Sequence, residues 1–180
     1  MWFNPRLVPA PLFTGANHIC IVTRDLDRAV RVWWDRYGVG PWRVFRYDDS
    51  NMSATVDGEP ARFAMRAALA QLGPGFRIEV IQPLDEHGPY APSLKRHGDA
   101  DHIHHVRLDV DDLDEAVARM RGLGLDARMR ASFAGGETGG PRVTGAYFGT
   151  EADLGFTVEV AAMPAGFSMP EPEYVYPDGG

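Results

Sequence analysis

One stretch of this chain occurs twice, 87 positions apart, and that repeat constrains the fold more than any other feature. His18-Ile19-Cys20-Ile21-Val22-Thr23-Arg24-Asp25-Leu26-Asp27 returns as His105-Val106-Arg107-Leu108-Asp109-Val110-Asp111-Asp112-Leu113-Asp114, and Ala29 and Val30 return as Ala116 and Val117. A short apolar stretch carrying a glutamate follows each copy: Arg77-Ile78-Glu79-Val80-Ile81, then Thr157-Val158-Glu159-Val160. A duplicated module with a histidine at its start and a glutamate at its end supplies four potential metal ligands. The pattern points to chemistry at a metal held between two half-domains.

Each copy reads as the same series of elements. Residues 16–23 alternate or run apolar, as a half-buried strand does. Asp25 stands where a helix N-cap belongs, Leu26, Ala29, Val30, Trp33 and Tyr37 follow at helical spacing, and Gly38 ends the run. Gly40-Pro41 makes a turn, and strands are predicted at about 42–48, 64–72 and 76–82, the last two separated by Gly73-Pro74-Gly75. The polar stretch from Asp48 to Pro60 reads as a loop. In the second copy a strand covers about 104–110, Asp112 and Glu115 form a capping signature, and Leu113, Ala116, Val117 and Met120 make a helical stripe. Strands follow near 126–131, 143–149 and 155–161, with the Gly-rich segment 134–141 as a flexible connection.

The fold class expected is therefore α+β: two tandem βαβββ modules forming a curved mixed sheet around a metal site. The division is an N-terminal arm (1–14), a first module (15–84), a linker (85–103) with a short helix near Ser93–Arg96, a second module (104–162) and a Pro-rich tail (163–180).

Strand parity supports the metal reading, because side chains alternate across a strand. His18 shares a face with Cys20, Glu79 with Arg77 and Ile81, His105 with Arg107 and Asp109, and Glu159 with Thr157. In all four strands the candidate ligand lies on the more polar face, and the apolar face is free to meet a helix. Two imidazoles and two carboxylates suit one divalent first-row ion: Zn, Ni, Co, Mn or Fe(II). Glu79 and Glu159 are also the candidate proton-transfer groups. Arg77, Arg107 and Cys20 are the candidate substrate contacts. For the two arginines, binding a substrate carboxylate or phosphate competes evenly with a structural ion pair to Asp109 or a neighbouring glutamate.

The net charge of −7 disfavours nucleic acid and anionic membranes as partners. The lone cysteine fits a reducing compartment, and no apolar run is long enough to span a bilayer, so a cytoplasmic location is expected.

Asn17-His18-Ile19-Cys20-Ile21-Val22, Tyr37-Gly38-Val39-Gly40-Pro41-Trp42, Ile78-Glu79-Val80-Ile81-Gln82-Pro83-Leu84, His104-His105-Val106 and Val158-Glu159-Val160 together resemble the vicinal oxygen chelate superfamily, the glyoxalase, epimerase and extradiol-dioxygenase group. Within it the chain is most similar to methylmalonyl-CoA epimerase-like and glyoxalase-like members. The resemblance implies ligands at His18, Glu79, His105 and Glu159, with His105 favoured over His104. It implies that Glu159 leaves the metal to move protons, that the substrate is a small carbonyl or acyl-CoA-like molecule, and that the chain is a homodimer. One departure is visible: epimerase relatives carry a second catalytic glutamate before the third strand, where this chain places Phe63 rather than Glu59.

The leading functional reading is a divalent-metal-dependent isomerase, epimerase or glyoxalase-type lyase that moves a proton beside a metal-bound carbonyl. An Fe(II) oxygenase is the second reading, and it requires Glu79 to turn away from a two-histidine, one-carboxylate site. A non-catalytic small-molecule binding protein of the resistance type is the third.

Overall fold

The computed structural model describes residues 11–136 and 139–178. Most of the predicted N-terminal arm (residues 1–10) and two positions of the Gly-rich connection (137–138) lie outside the described residues.

Among the described residues, eleven strands make one continuous, strongly curled sheet, an open half-barrel accompanied by four helices. The first copy gives β1 (Gly15–Val22), α1 (Leu26–Tyr37), β2 (Trp42–Tyr47), β3 (Met52–Val56), β4 (Glu59–Ala61), β5 (Met65–Gln71) and β6 (Arg77–Pro83). After α2 (Tyr90–Arg96), the second gives β7 (His102–Asp109), α3 (Leu113–Gly122), β8 (Ala127–Ala134), β9 (Arg142–Phe148), α4 (Glu151–Leu154) and β10 (Thr157–Ala162). The tail adds β11 (Tyr174–Tyr176). The strand order is β11-β2-β5-β6-β1-β7-β10-β9-β8-β3-β4. The two histidine strands, β1 and β7, are therefore central neighbours, paired antiparallel, and each is flanked by its own parallel glutamate strand, β6 or β10.

The helices form where the sequence places their signals. The Asp25 side chain accepts from the Arg28 N–H, and Gly38 closes α1 at φ 66°, a left-handed conformation that costs glycine little. Asp112 caps α3 by accepting from the N–H groups of Asp114 and Glu115. Leu26, Ala29 and Val30 press on the outer face of the first half-sheet, against Ile78, Val80 and Val44. Ala116 and Met120 do the same in the second half, against Val158, Val160 and Phe148. Full burial of a residue such as Leu26 or Val30 contributes about 1.5–3 kcal/mol, and it leaves the opposite strand faces turned into the concavity.

One expectation is corrected. The stretch from Asp48 to Pro60 is not simply a loop, because it holds β3 and β4. β3 pairs with β8 of the second copy, so the two modules are tied into one sheet. Within residues 85–103, α2 buries Tyr90 and Leu94 in the inner cluster and packs against β6 and β7. His104 lies within a strand, as the extra residue of an irregularity in the β1–β7 ladder, and its ring packs 5.0 Å from that of Tyr90. No helix among the described residues is long and apolar enough to cross a membrane.

Candidate metal centre

The register across the four central strands arranges the candidate residues in two rows. One row runs Glu79, Cys20, His105, Thr157. The next runs Arg77, His18, Arg107, Glu159. Both face the concavity, since Ile78, Val106 and Val158, one step along each strand, face the other way, as parity requires.

The two histidines meet with Nε2 atoms 3.3 Å apart. Glu79 Oε2 lies 3.4 Å from His18 Nε2 and 3.5 Å from His105 Nε2. Glu159 Oε2 lies 3.4 Å and 3.2 Å from the same two nitrogens. The ligand atoms of His18, Glu79 and His105 all fall within 4.8 Å of one another. All four side chains are buried or nearly so, Glu159 most deeply of the two carboxylates.

Burying two carboxylates together is costly unless something positive compensates them. Glu159 Oε2 is buried without a well-formed hydrogen bond, although both imidazoles stand beside it. A carboxylate oxygen left with free lone pairs between two ring nitrogens is what a site built for a cation shows, so the donor set fits a divalent ion. Burial opposes the charge on Glu159, yet His105, His18 and Arg107 together hold its carboxyl well below the usual range. Burial likewise opposes the charge on His105, and Cys20, Glu159 and Glu79 outweigh it.

The surrounding groups differ in what they reach. Arg107 donates from Nε to Asp109 at 3.2 Å, so its structural ion pair is formed. Among the described residues Arg77 has no such pair: its Nη2 donates to the Asn17 amide oxygen, and Asn17 in turn donates to Asp109 at 2.8 Å. Both arginines line the same cleft as His18. Cys20 is not among the side chains that line it. It sits fully buried between Glu79 and His105, and burial pushes its thiol up to about 12. Glu59 is exposed on β4 at the outer edge of the sheet, and Phe63 is buried against Tyr90 at 6.0 Å between ring centres. Neither adds a further carboxylate to Glu79 and Glu159 in the cleft.

Several cleft residues carry no signal in the repeat. Tyr147 is the cross-strand partner of Glu159 and stacks edge-on to His105 at 5.3 Å. Tyr47 and Phe133 meet edge-on at 5.0 Å, although β2 and β8 lie near opposite edges of the sheet; only the curl brings them together. Gly145 makes room for the Glu159 carboxylate, because a Cβ there would lie 2.6 Å from Glu159 Oε1.

The fold is shared with solved structures. Methylmalonyl-CoA epimerase from Mycobacterium tuberculosis superposes with a TM-score of 0.62 at 22% identity, covering 88% of this chain and 94% of that one. A methylmalonyl-CoA epimerase in complex with methylmalonyl-CoA and NH4+ gives 0.62 at 19% identity, covering 87% and 99%. A single-substitution variant of the Streptomyces coelicolor methylmalonyl-CoA epimerase, in complex with 2-nitronate-propionyl-CoA, gives 0.62 at 18%, covering 88% and 99%. No curated protein matches the sequence. The family model for the Glyoxalase/Bleomycin resistance protein/Dioxygenase superfamily matches residues 17–143, most of the chain and both histidine strands. With that match, the repeated modules and the half-barrel they build, the chain belongs to the Glyoxalase/Bleomycin resistance protein/Dioxygenase superfamily.

Proposed function

We propose that this chain is a divalent-metal-dependent isomerase or epimerase, or a lyase of the same type, that moves a proton at a carbon next to a carbonyl. The observation that supports it best is the convergence of His18, His105, Glu79 and Glu159 at 3.2–3.5 Å, with Glu159 Oε2 left free of a good hydrogen bond. His18 and His105 would hold the ion through Nε2, and Glu79 and Glu159 through Oε2. When bound, a divalent ion polarises a carbonyl oxygen and acidifies the adjacent C–H. Arg107 and the histidines keep Glu159 ionised, the form that accepts a proton at its carboxylate. Tyr147 and Tyr90 wall the site and keep water from the reacting atoms. Glu79 stands equally close to both imidazoles, which supports four ligands over the two-histidine, one-carboxylate set of an oxygenase.

The substrate class follows as a small carbonyl or acyl-thioester compound, in line with the acyl-CoA ligands of the structural neighbours. A homodimer belongs to the same proposal, and sedimentation velocity checks it. The activity test is solvent deuterium exchange into a panel of 2-oxo acids and methylmalonyl-CoA, followed by NMR with metal-loaded protein. Exchange that falls at least about 100-fold in Glu159→Gln supports the reading. Oxygen consumption without exchange would replace it with the oxygenase.

A further inference from the structure

The tail is the part of the chain that neither the repeat nor the proposed ligands account for. After β10 it crosses to the opposite flank of the half-barrel and is fixed there. Ser168 O accepts from the Gly136 N–H at 3.0 Å, Glu173 N–H donates to Val44 O at 2.7 Å, and β11 pairs with β2. The Tyr174 hydroxyl binds both Asp27 and Arg66, anchoring the far end to α1 and β5. Gly135 and Gly136 let the tail pass: a Cβ on either would lie 2.9 Å from a tail carbonyl, of Ser168 or of Met169. The crossing is therefore built into two distant parts of the sequence.

Met163, Phe167 and Met169 of this tail line the cleft that contains His18, Glu79 and Glu159. Tyr47 and Phe133, which meet edge-on, line the same cleft and add an aromatic wall to it. Arg77 also lines this cleft; it has no carboxylate within ion-pair distance among the described residues, and its bond to Asn17 leaves further guanidinium donors to meet a ligand. A ligand that satisfies all three features has a carbonyl for the ion, a carboxylate for Arg77 and a flat or bulky apolar body between the tail and the aromatic wall. Methionine suits the apolar role because its unbranched chain adapts to the shape presented.

Building on the metal-dependent reading above, we propose that the C-terminal tail forms a specificity wall that selects a compact carboxylate-bearing carbonyl compound with an aromatic or bulky apolar body, in preference to a CoA thioester. Phe167 and Met169 set the preference for the apolar body, and Arg77 sets the preference for the carboxylate.

The test is calorimetric titration of zinc-loaded full-length protein with phenylpyruvate, pyruvate and methylmalonyl-CoA. Wild type is expected to bind phenylpyruvate at least about ten-fold tighter than pyruvate, since burying a phenyl ring is worth that much. The Phe167→Ala/Met169→Ala double variant should narrow the ratio to below about three-fold, and Phe167→Leu should restore most of it. Arg77→Met should weaken phenylpyruvate at least about ten-fold while leaving phenylpyruvamide, which lacks the charge, within about two-fold. Unchanged thermal melting shows that each variant is folded. Equal binding of phenylpyruvate and pyruvate by wild type, an unaltered ratio in the double variant, or tighter binding of methylmalonyl-CoA would overturn the proposal. Failure of the underlying reading looks different: the ligand preferences hold, and deuterium exchange into bound phenylpyruvate is absent.

Discussion

Cys20 and Arg107 occupy equivalent places in the two halves of the sheet, each two residues after its histidine, and only one of them carries a charge. Cys20 lies between Glu79 and His105, while Arg107 lies between His18 and Glu159. The repeat supplies a nearly symmetric ligand set, and this substitution makes the two carboxylates unlike. Glu159 has a guanidinium beside it and Glu79 has a neutral thiol.

The Cys20 thiol, fully buried beneath the ligands, should be silent to reagents in the folded protein. Labelling with a disulfide reagent at pH 8 should proceed at least about 1000-fold more slowly than in urea-unfolded chain. Rapid labelling of the native protein would mean that the strands around Cys20 open more readily than their burial implies.

Gly145 should matter to the metal although it is not a ligand. Gly145→Ala places a methyl 2.6 Å from Glu159 Oε1, and the carboxylate must move to relieve the contact. Metal affinity, measured by competition with a chelator, is expected to fall about 10–100-fold with the circular dichroism spectrum retained. Unchanged affinity would show that Glu159 is not held where the ion needs it.

The tail anchor should respond to acid. Arg66 first, and the Tyr174 hydroxyl second, hold the Asp27 carboxyl below its ordinary value of 3.8. A folded-state value depressed in this way adds stability above the unfolded value, and that stability is lost as pH falls through the folded value. The pair is partly exposed, so the contribution at neutral pH is modest, about 1 kcal/mol or less. Urea unfolding should show Asp27→Asn less stable than wild type at pH 7, with the difference vanishing at pH values well under 3.8. A difference that persists there would assign the effect to packing rather than charge.

The central strands are legible in the sequence because each carries two independent signals. His18 and His105 repeat with their following apolar residues and Asp caps, and strand parity alone puts Glu79 and Glu159 on the polar face. Other features depend on partners far away in the chain. Met52–Val56 is a short, half-polar strand whose pairing with β8 is not written in its own pattern. The tail has neither period, because Pro and Gly punctuate it, and its place over the cleft follows from the approach of Gly135 and Gly136. The full burial of Cys20 escapes the sequence for a subtler reason. Parity gives the face of a strand, and the curl of the sheet then decides which residues on that face reach the opening and which are covered by their neighbours.

The most direct measurement is metal content per chain by elemental analysis, for wild type and Glu79→Ala, after reconstitution with Zn, Ni, Co, Mn and Fe(II) in turn. Wild type should hold about one ion and Glu79→Ala should retain clearly less of it, because the two histidines and one carboxylate that remain bind a divalent ion more weakly than four ligands do. A wild-type chain that takes up none of these ions, or a Glu79→Ala chain that keeps its ion in full, would contradict the four-ligand centre.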